Sequence, residues 1–444
     1  MVIHNEKIGS LIKPRYTLEE LVALQSLLES KGTLSLAPLP NGLFPARDVE
    51  PGVALGGYQH VWVRDNIYIA HALYVNGETN AAVKNVESLA GYFWQHRHRF
   101  TDIIANPAIA LNEMRRPNIR FDGLELKELV EDWAHAQNDA LGYFLWLFCR
   151  LARDGAVEEV SIEQTELLAI FVDYFQAIRF WEDEDSGHWE EARKISASSI
   201  GVVVGALREL DNLLARGKGL DASRGHRINV EAIKNLVDLG CQSLELILPA
   251  ECIQPERERK ADAALLFLIY PVAVVDDQMA DKIIAEVTGE LLGEIGIRRY
   301  AGDSYWCANY KELWGPEKRT SKFSGDALAQ RDSFVKKGEE AQWCLFDPVL
   351  SSIYAKRYQA TGRESYLEDQ IAYLNRSLAQ VTSDFRCPEA YYLEHGAYVA
   401  NDDTPLHWTQ ANLWVALRHA QESLTFSAKS AAGKRVFDAP VGSF

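Results

Sequence analysis

The chain has 444 residues, 47% of them apolar and 25% charged, an ordinary balance for a soluble globular protein with a large core. Its formal charge of −17 repels phosphate backbones and anionic headgroups, which argues against nucleic acid and the membrane surface as partners and favours a neutral substrate. Length alone points to two or three domains, although a closed, repeat-like architecture carries that length as one.

The N-terminus, Met1-Val-Ile-His-Asn-Glu-Lys7, lacks an apolar run of signal-peptide length, and no stretch of about 20 apolar residues is available to span a membrane. Six cysteines are scattered without CxxC or zinc spacing and read as free thiols, so the expected location is the cytoplasm. Thr17-Leu-Glu-Glu20 is a capping box that opens a first helix, and Gly32 is its stop. A Pro- and Gly-rich stretch over 37–57 is too punctuated for regular structure.

Helical periodicity then recurs at 60–76, 79–98, 129–154, 161–182, 196–217, 229–247, 259–277, 279–294, 340–361, 364–381 and 406–424, about twelve helices with the first. Ala140 to Phe148 and Ala264 to Tyr270 are apolar on more than one face, as helices buried on both sides must be. Twelve helices in alternating inner and outer rings make an all-α (α/α)6 barrel. The absence of a fixed-period sequence repeat favours it over an open solenoid. The reading is a single barrel domain over 1–424, followed by an extended tail over 425–444 rich in Ser, Ala, Gly and Lys. Two long non-helical stretches, 99–128 and 297–339, have the length of lids or binding loops.

Three segments carry chemistry. In Tyr58-Gln-His-Val-Trp62-Val-Arg64-Asp65, a rigid donor fork and an acceptor stand beside aromatic faces, a combination suited to sugar hydroxyls and to the C–H surface of a pyranose. Trp189-Glu190-Glu191 places paired carboxylates against an indole, which disfavours ionisation and keeps one carboxyl protonated for a leaving oxygen. In a non-helical segment the two side chains diverge, so one faces the pocket while Arg193 or Lys194 ties down the other. Pro388-Glu389-Ala-Tyr-Tyr392, with Glu394 and His395 nearby, offers a carboxylate able to activate water. There is no GxSxG, Walker, GxGxxG or HExxH motif, His96-Arg-His98 stands alone, and neither a metal nor a cofactor is expected.

Read in order, these residues resemble glycoside hydrolase family 15 and its relatives, the phosphorylase kinase α and β subunits. The family's Tyr-x-x-x-Trp-x-Arg-Asp appears as Tyr58, Trp62, Arg64 and Asp65; its Trp-x-x-x-Gln-x-Asp as Trp133, Gln137 and Asp139; its Trp-Glu-Glu as Trp189, Glu190 and Glu191. An Arg-Tyr segment follows at Arg299-Tyr300, then Glu389, and Trp408 opens the last helix. The resemblance implies exo-acting, inverting cleavage of small or intracellular α-glucosides. It implies Glu190 as general acid and Glu389 as general base, with Glu394 in reserve. Arg64 and Asp65 hold the glycone, Tyr58, Trp62 and Trp133 shape its site, and Arg299 reaches toward the +1 sugar. Gln137, Asp139, Trp189, Glu191 and Trp408 complete the expected substrate-binding set. Around Glu389 the chain is more like the kinase subunits, and a carbohydrate-sensing module with weak or no catalysis is the alternative.

Overall fold

The computed structural model describes residues 2–47, 59–216, 228–315 and 331–437. Helices α1 (Glu6–Gly9) and α2 (Leu18–Ser30) precede strand β1 (Val61–Trp62), which runs straight into α3 (Val63–Val75). Next come α4 (Thr79–Gln95), α5 (His98–Ala105), β2 (Arg120–Asp122), β3 (Lys127–Glu128), α6 (Asn138–Asp154) and α7 (Ile162–Ala177). The chain continues through α8 (Ala197–Ala215), α9 (Val230–Ile247), α10 (Leu266–Ile269), α11 (Asp277–Glu290) and α12 (Tyr310–Leu313). It ends with β4 (Gln342–Trp343), α13 (Phe346–Thr361), α14 (Glu364–Ala379), β5 (Ala390–Glu394), β6 (Ala397–Ala400) and α15 (His407–Phe437).

Among the described residues the inner helices form a closed ring: α3 packs on α6, α6 on α8, α8 on α10, α10 on α13, α13 on α15, and α15 returns to α3. Outside them, α4 backs α3, α9 backs α8, α11 backs α10, α14 backs α13 and α2 backs α15, while α7 lies between α4 and α9. This is the (α/α)6 barrel, and sequence explains which helix goes where. Every residue of α6 from Asn138 to Cys149 is buried, whereas α2 buries only Leu21, Leu24 and Leu28, one stripe of a solvent-facing helix. Gly142 lets α6 and α8 approach closely, since a Cβ there would lie 3.2 Å from the backbone of Val202 and Val203.

Four expectations are corrected. The stretches over 99–128 and 297–339, read as non-helical, hold α5 with two 3-10 turns, Pro107–Leu111 and Glu113–Arg115, and the short α12. The helix read over 129–154 starts at Asn138, because Gln137 takes a non-helical backbone, φ −129° and ψ 88°, and its side chain is drawn to Arg64. The pattern over 259–277 yields only a 3-10 turn, Ala263–Leu265, and the short α10. Pro271 has no N–H to continue the ladder, and Tyr270 before it is extended. At the other end, α15 continues as helix to Phe437, where an extended tail was expected after residue 424.

The N-terminal ends of the inner helices share one mouth. Trp62 contacts Glu190 ahead of α8, Arg64 reaches Gln137 ahead of α6, Trp189 reaches Asp262 ahead of α10, and Trp408 of α15 lies beside Arg64. Two antiparallel sheets brace this mouth, β1-β2-β3 pairing Trp62 with Arg120 and β4-β5-β6 pairing Trp343 with Ala390.

Candidate active site

The floor of the site is the first turn of α3, which carries Arg64 and Asp65. Arg64 is buried, its Nε donating to Asp139 Oδ2 at 2.7 Å and its Nη2 to Gln137 Oε1 at 2.6 Å and to the Gly187 carbonyl at 3.1 Å. Such a charge is tolerable in the interior only because it is paired and hydrogen-bonded on several sides. Burial alone would raise Asp139, but Arg64 beside it pulls the carboxyl below its usual value. Asp65, one residue on, has no such clamp among the described residues. Burial, reinforced by the charge of Glu190, pushes it up to about 7 against the pull of Arg64.

Opposite the floor, residues 185–194 form a loop closed at its base by paired backbone bonds of 2.9 Å between Asp185 and Lys194. Gly187 takes a φ of +58°, available to glycine at little cost, and the Gly187–Trp189 3-10 turn then delivers Glu190 in the left-handed region, also at φ 58°. Glu190 Oε1 accepts from Trp62 Nε1 at 3.0 Å and lies 3.9 Å from Arg64 Nη1. Burial raises its carboxyl above the ordinary glutamate value, with Arg64 and Arg120 opposing.

Glu191 turns the other way. Lys194 Nζ donates to it at 2.8 Å and Arg259 grips both of its oxygens; against the effect of burial, these two cations hold it well below the usual carboxylate range. Between the neighbouring carboxylates, then, Glu190 is the one beside Trp62 and Arg64. Of the two bases expected to secure the other, Lys194 does so. Arg193 instead donates to the carbonyls of Glu184 and Leu111.

Trp133 meets Trp62 edge-on at 5.9 Å, and the Arg120 guanidinium covers both rings, 4.0 Å from one centroid and 5.1 Å from the other. Trp408 packs against Tyr68 and Phe267. Among the described residues, the indole N–H groups of Trp133, Trp343 and Trp408 are buried without a protein acceptor. Arg299 forms a two-pronged bond to Asp303, 2.6 Å on each prong, inside a cage of Trp189, Tyr305 and Trp343.

Glu389 lies just before β5, buried, and accepts from Asn401 Nδ2 at 2.6 Å, while its backbone N–H bonds the Asp403 carbonyl. Glu394, at the far end of the same strand, accepts from the Tyr392 hydroxyl at 2.8 Å. Tyr58 lies outside the described residues.

Several supporting residues escape sequence reasoning: Asn401, Arg120, Arg259 and Asp262. Only Asp262 carries a local signal, as an Asp capping an apolar run, and its role as a partner of Trp189 is a tertiary fact.

Comparison with known proteins accords with this geometry. The family description Glycosyl hydrolases family 15 matches residues 22–381. A probable phosphorylase b kinase regulatory subunit alpha of Caenorhabditis elegans is 26% identical over 271 residues, 55% of this chain, and the match covers 21% of that protein's length. An uncharacterized lipoprotein YgeQ of Escherichia coli is 29% identical over 206 residues, 42% of this chain and 78% of that protein. Among solved structures, a glycosidase variant in complex with glucose shares the fold at a TM-score of 0.63 with 18% identity, covering 92% of this chain and 98% of that one. A bacterial glucoamylase complexed with acarbose aligns at 0.58 with 15% identity over 89% of this chain and 55% of its own. The family match spans most of the sequence, and the chain belongs to the glycosyl hydrolases of family 15.

Proposed function

We propose that this protein is a cytoplasmic, inverting, exo-acting α-glucosidase for small α-glucosides. The observation that carries this reading is Glu190: a carboxyl raised by burial, bonded to the Trp62 indole and 3.9 Å from Arg64 in the first turn of α3. In the proposed reaction Glu190 gives its proton to the glycosidic oxygen as the bond from that oxygen to C1 breaks. Glu389 takes a proton from a water whose oxygen bonds C1 on the opposite face. The products are glucose of inverted configuration and the free leaving alcohol, and proton exchange with solvent resets both carboxyls. Arg64 and Asp65 hold glycone hydroxyls, and the buried indole N–H groups of Trp133 and Trp408 are donors left over for the sugar. The cage around Arg299 borders the +1 side.

The test is a panel of α-linked glucosides followed by NMR at the anomeric proton. β-Glucose as the first product supports the reading, and α-glucose as the first product overturns inversion. Likeness to a kinase regulatory subunit favours one alternative, a sugar-sensing module. Glucose binding with no turnover of any glucoside in the panel would select it.

A further inference from the structure

Glu190 owes its position to its two neighbours, and both lead to the same buried group. On one side Trp189 sends its Nε1 proton to Asp262 Oδ1 at 2.9 Å. On the other, Glu191 is gripped by Arg259, whose Nη1 also donates to Asp262 Oδ2 at 3.1 Å. Asp262 is fully buried and its own position is fixed, because Oδ1 also caps the turn into α10 by accepting from the Ala264 N–H at 2.9 Å. Its backbone is bridged to Tyr300, and Ala263 N–H bonds the Arg299 carbonyl at 2.8 Å. A left-handed non-glycine residue such as Glu190 keeps its conformation only where its surroundings over-determine it.

We propose that Asp262 is the positioning residue of the acid: it holds Trp189 and, through Arg259, Glu191, so that the carboxyl between them is aimed at the leaving oxygen. This rests on Glu190 being the general acid. Asp262 touches neither Glu190 nor the pocket floor among its hydrogen-bond partners, so its effect is on aim rather than on binding.

The experiment compares two probes that differ in their need for a proton. Phenyl α-glucoside leaves through an oxygen that must be protonated well; α-glucosyl fluoride needs far less help. Asp262→Asn removes the charge facing Arg259 while retaining an acceptor for the cap. Turnover of phenyl α-glucoside is expected to fall about 10- to 100-fold, that of the fluoride by less than about 3-fold, with KM for both nearly unchanged. Arg259→Lys, which keeps a positive charge against Glu191 but gives up the fork it shares with Asp262, is expected to give the same contrast. It serves also if the Asp262 variant fails to fold. Glu190→Gln fixes the scale. If Glu190→Gln shows the contrast and the other two lose both probes equally, Asp262 is merely structural and the proposal falls. If Glu190→Gln itself shows no contrast, or the parent protein turns over neither probe, the acid assignment fails and takes this inference with it.

Discussion

Glu190 is carried by a loop pinned to helix N-termini, while Glu389 leads into the middle strand of a small antiparallel sheet. Around Glu190 the supports are buried ions: Arg64 from α3, Asp139 from α6, Arg259 and Asp262 ahead of α10. Glu389 accepts from a neutral amide, Asn401, in the connection from β6 to α15. Buried ion pairs are costly to break because the surviving partner is stranded, whereas a neutral donor can be exchanged at smaller loss. Loss of one charged support around Glu190 should therefore cost more than loss of the Asn401 amide at Glu389.

The sharpest way to break this contrast is to neutralise each carboxyl. Glu190→Gln and Glu389→Gln are both expected to lower turnover about 1,000-fold while leaving glucose binding in calorimetry intact, and Glu394→Gln to stay within a few-fold of the parent. A thousandfold loss at Glu394 with none at Glu389 would move the base to the far end of β5. Next in size, Asp139→Asn strands the Arg64 charge and is expected to cost about 3–5 kcal/mol in urea unfolding. Asn401→Ala, on the base side, is expected to cost about 1–3 kcal/mol there and about 10-fold in turnover. Equal costs would erase the distinction drawn above.

A finer probe is Trp62→Phe. The indole N–H stabilises the charged form of Glu190, so its removal raises that carboxyl further and moves the alkaline limb of the pH–rate profile upward, by less than about one unit. Smallest is a pH effect on stability. Asp65, Asp185 and Asp403 are pushed up to about 7 and Glu251 to about 8, chiefly by burial, so the folded state holds protons that the unfolded chain has released above pH 4. That stability drains as pH rises toward 8. His71, His135 and His188, lowered to about 3 by burial, act oppositely, and their contribution is lost as pH falls below 6.5. The two sets offset each other below pH 6.5, and above it only the acids still titrate. Tm is expected to fall between pH 6.5 and 8; a rise over that interval would contradict these assignments.

The barrel was largely legible because its inner helices must be apolar all round, as Ala140 to Phe148 are, while its outer helices carry one stripe. Where periodicity misled, a tertiary partner or a proline intervened: Gln137 was claimed by Arg64, and Pro271 stopped α10. In the site, contiguous motifs revealed Arg64, Asp65 and Glu190. Sequence left open which of Glu190 and Glu191 faces the pocket, since that depends on Arg259, 68 residues away along the chain. Asn401 left no trace, because a surface-type amide becomes a clamp only when β6 brings it back beside Glu389.

The ring closes where α15 docks on α3, setting Trp408 beside Arg64 and bonding the His407 N–H to the Ala46 carbonyl. During synthesis the ribosome delivers Arg64 hundreds of residues before its last neighbour. Until α15 emerges, the buried floor of the pocket is an open flank with charged groups against water. Contacts of such long sequence separation form late. Sugar-binding capacity should therefore mature with the final helix, and nascent chains arrested before it would be substrates for chaperones rather than catalysts.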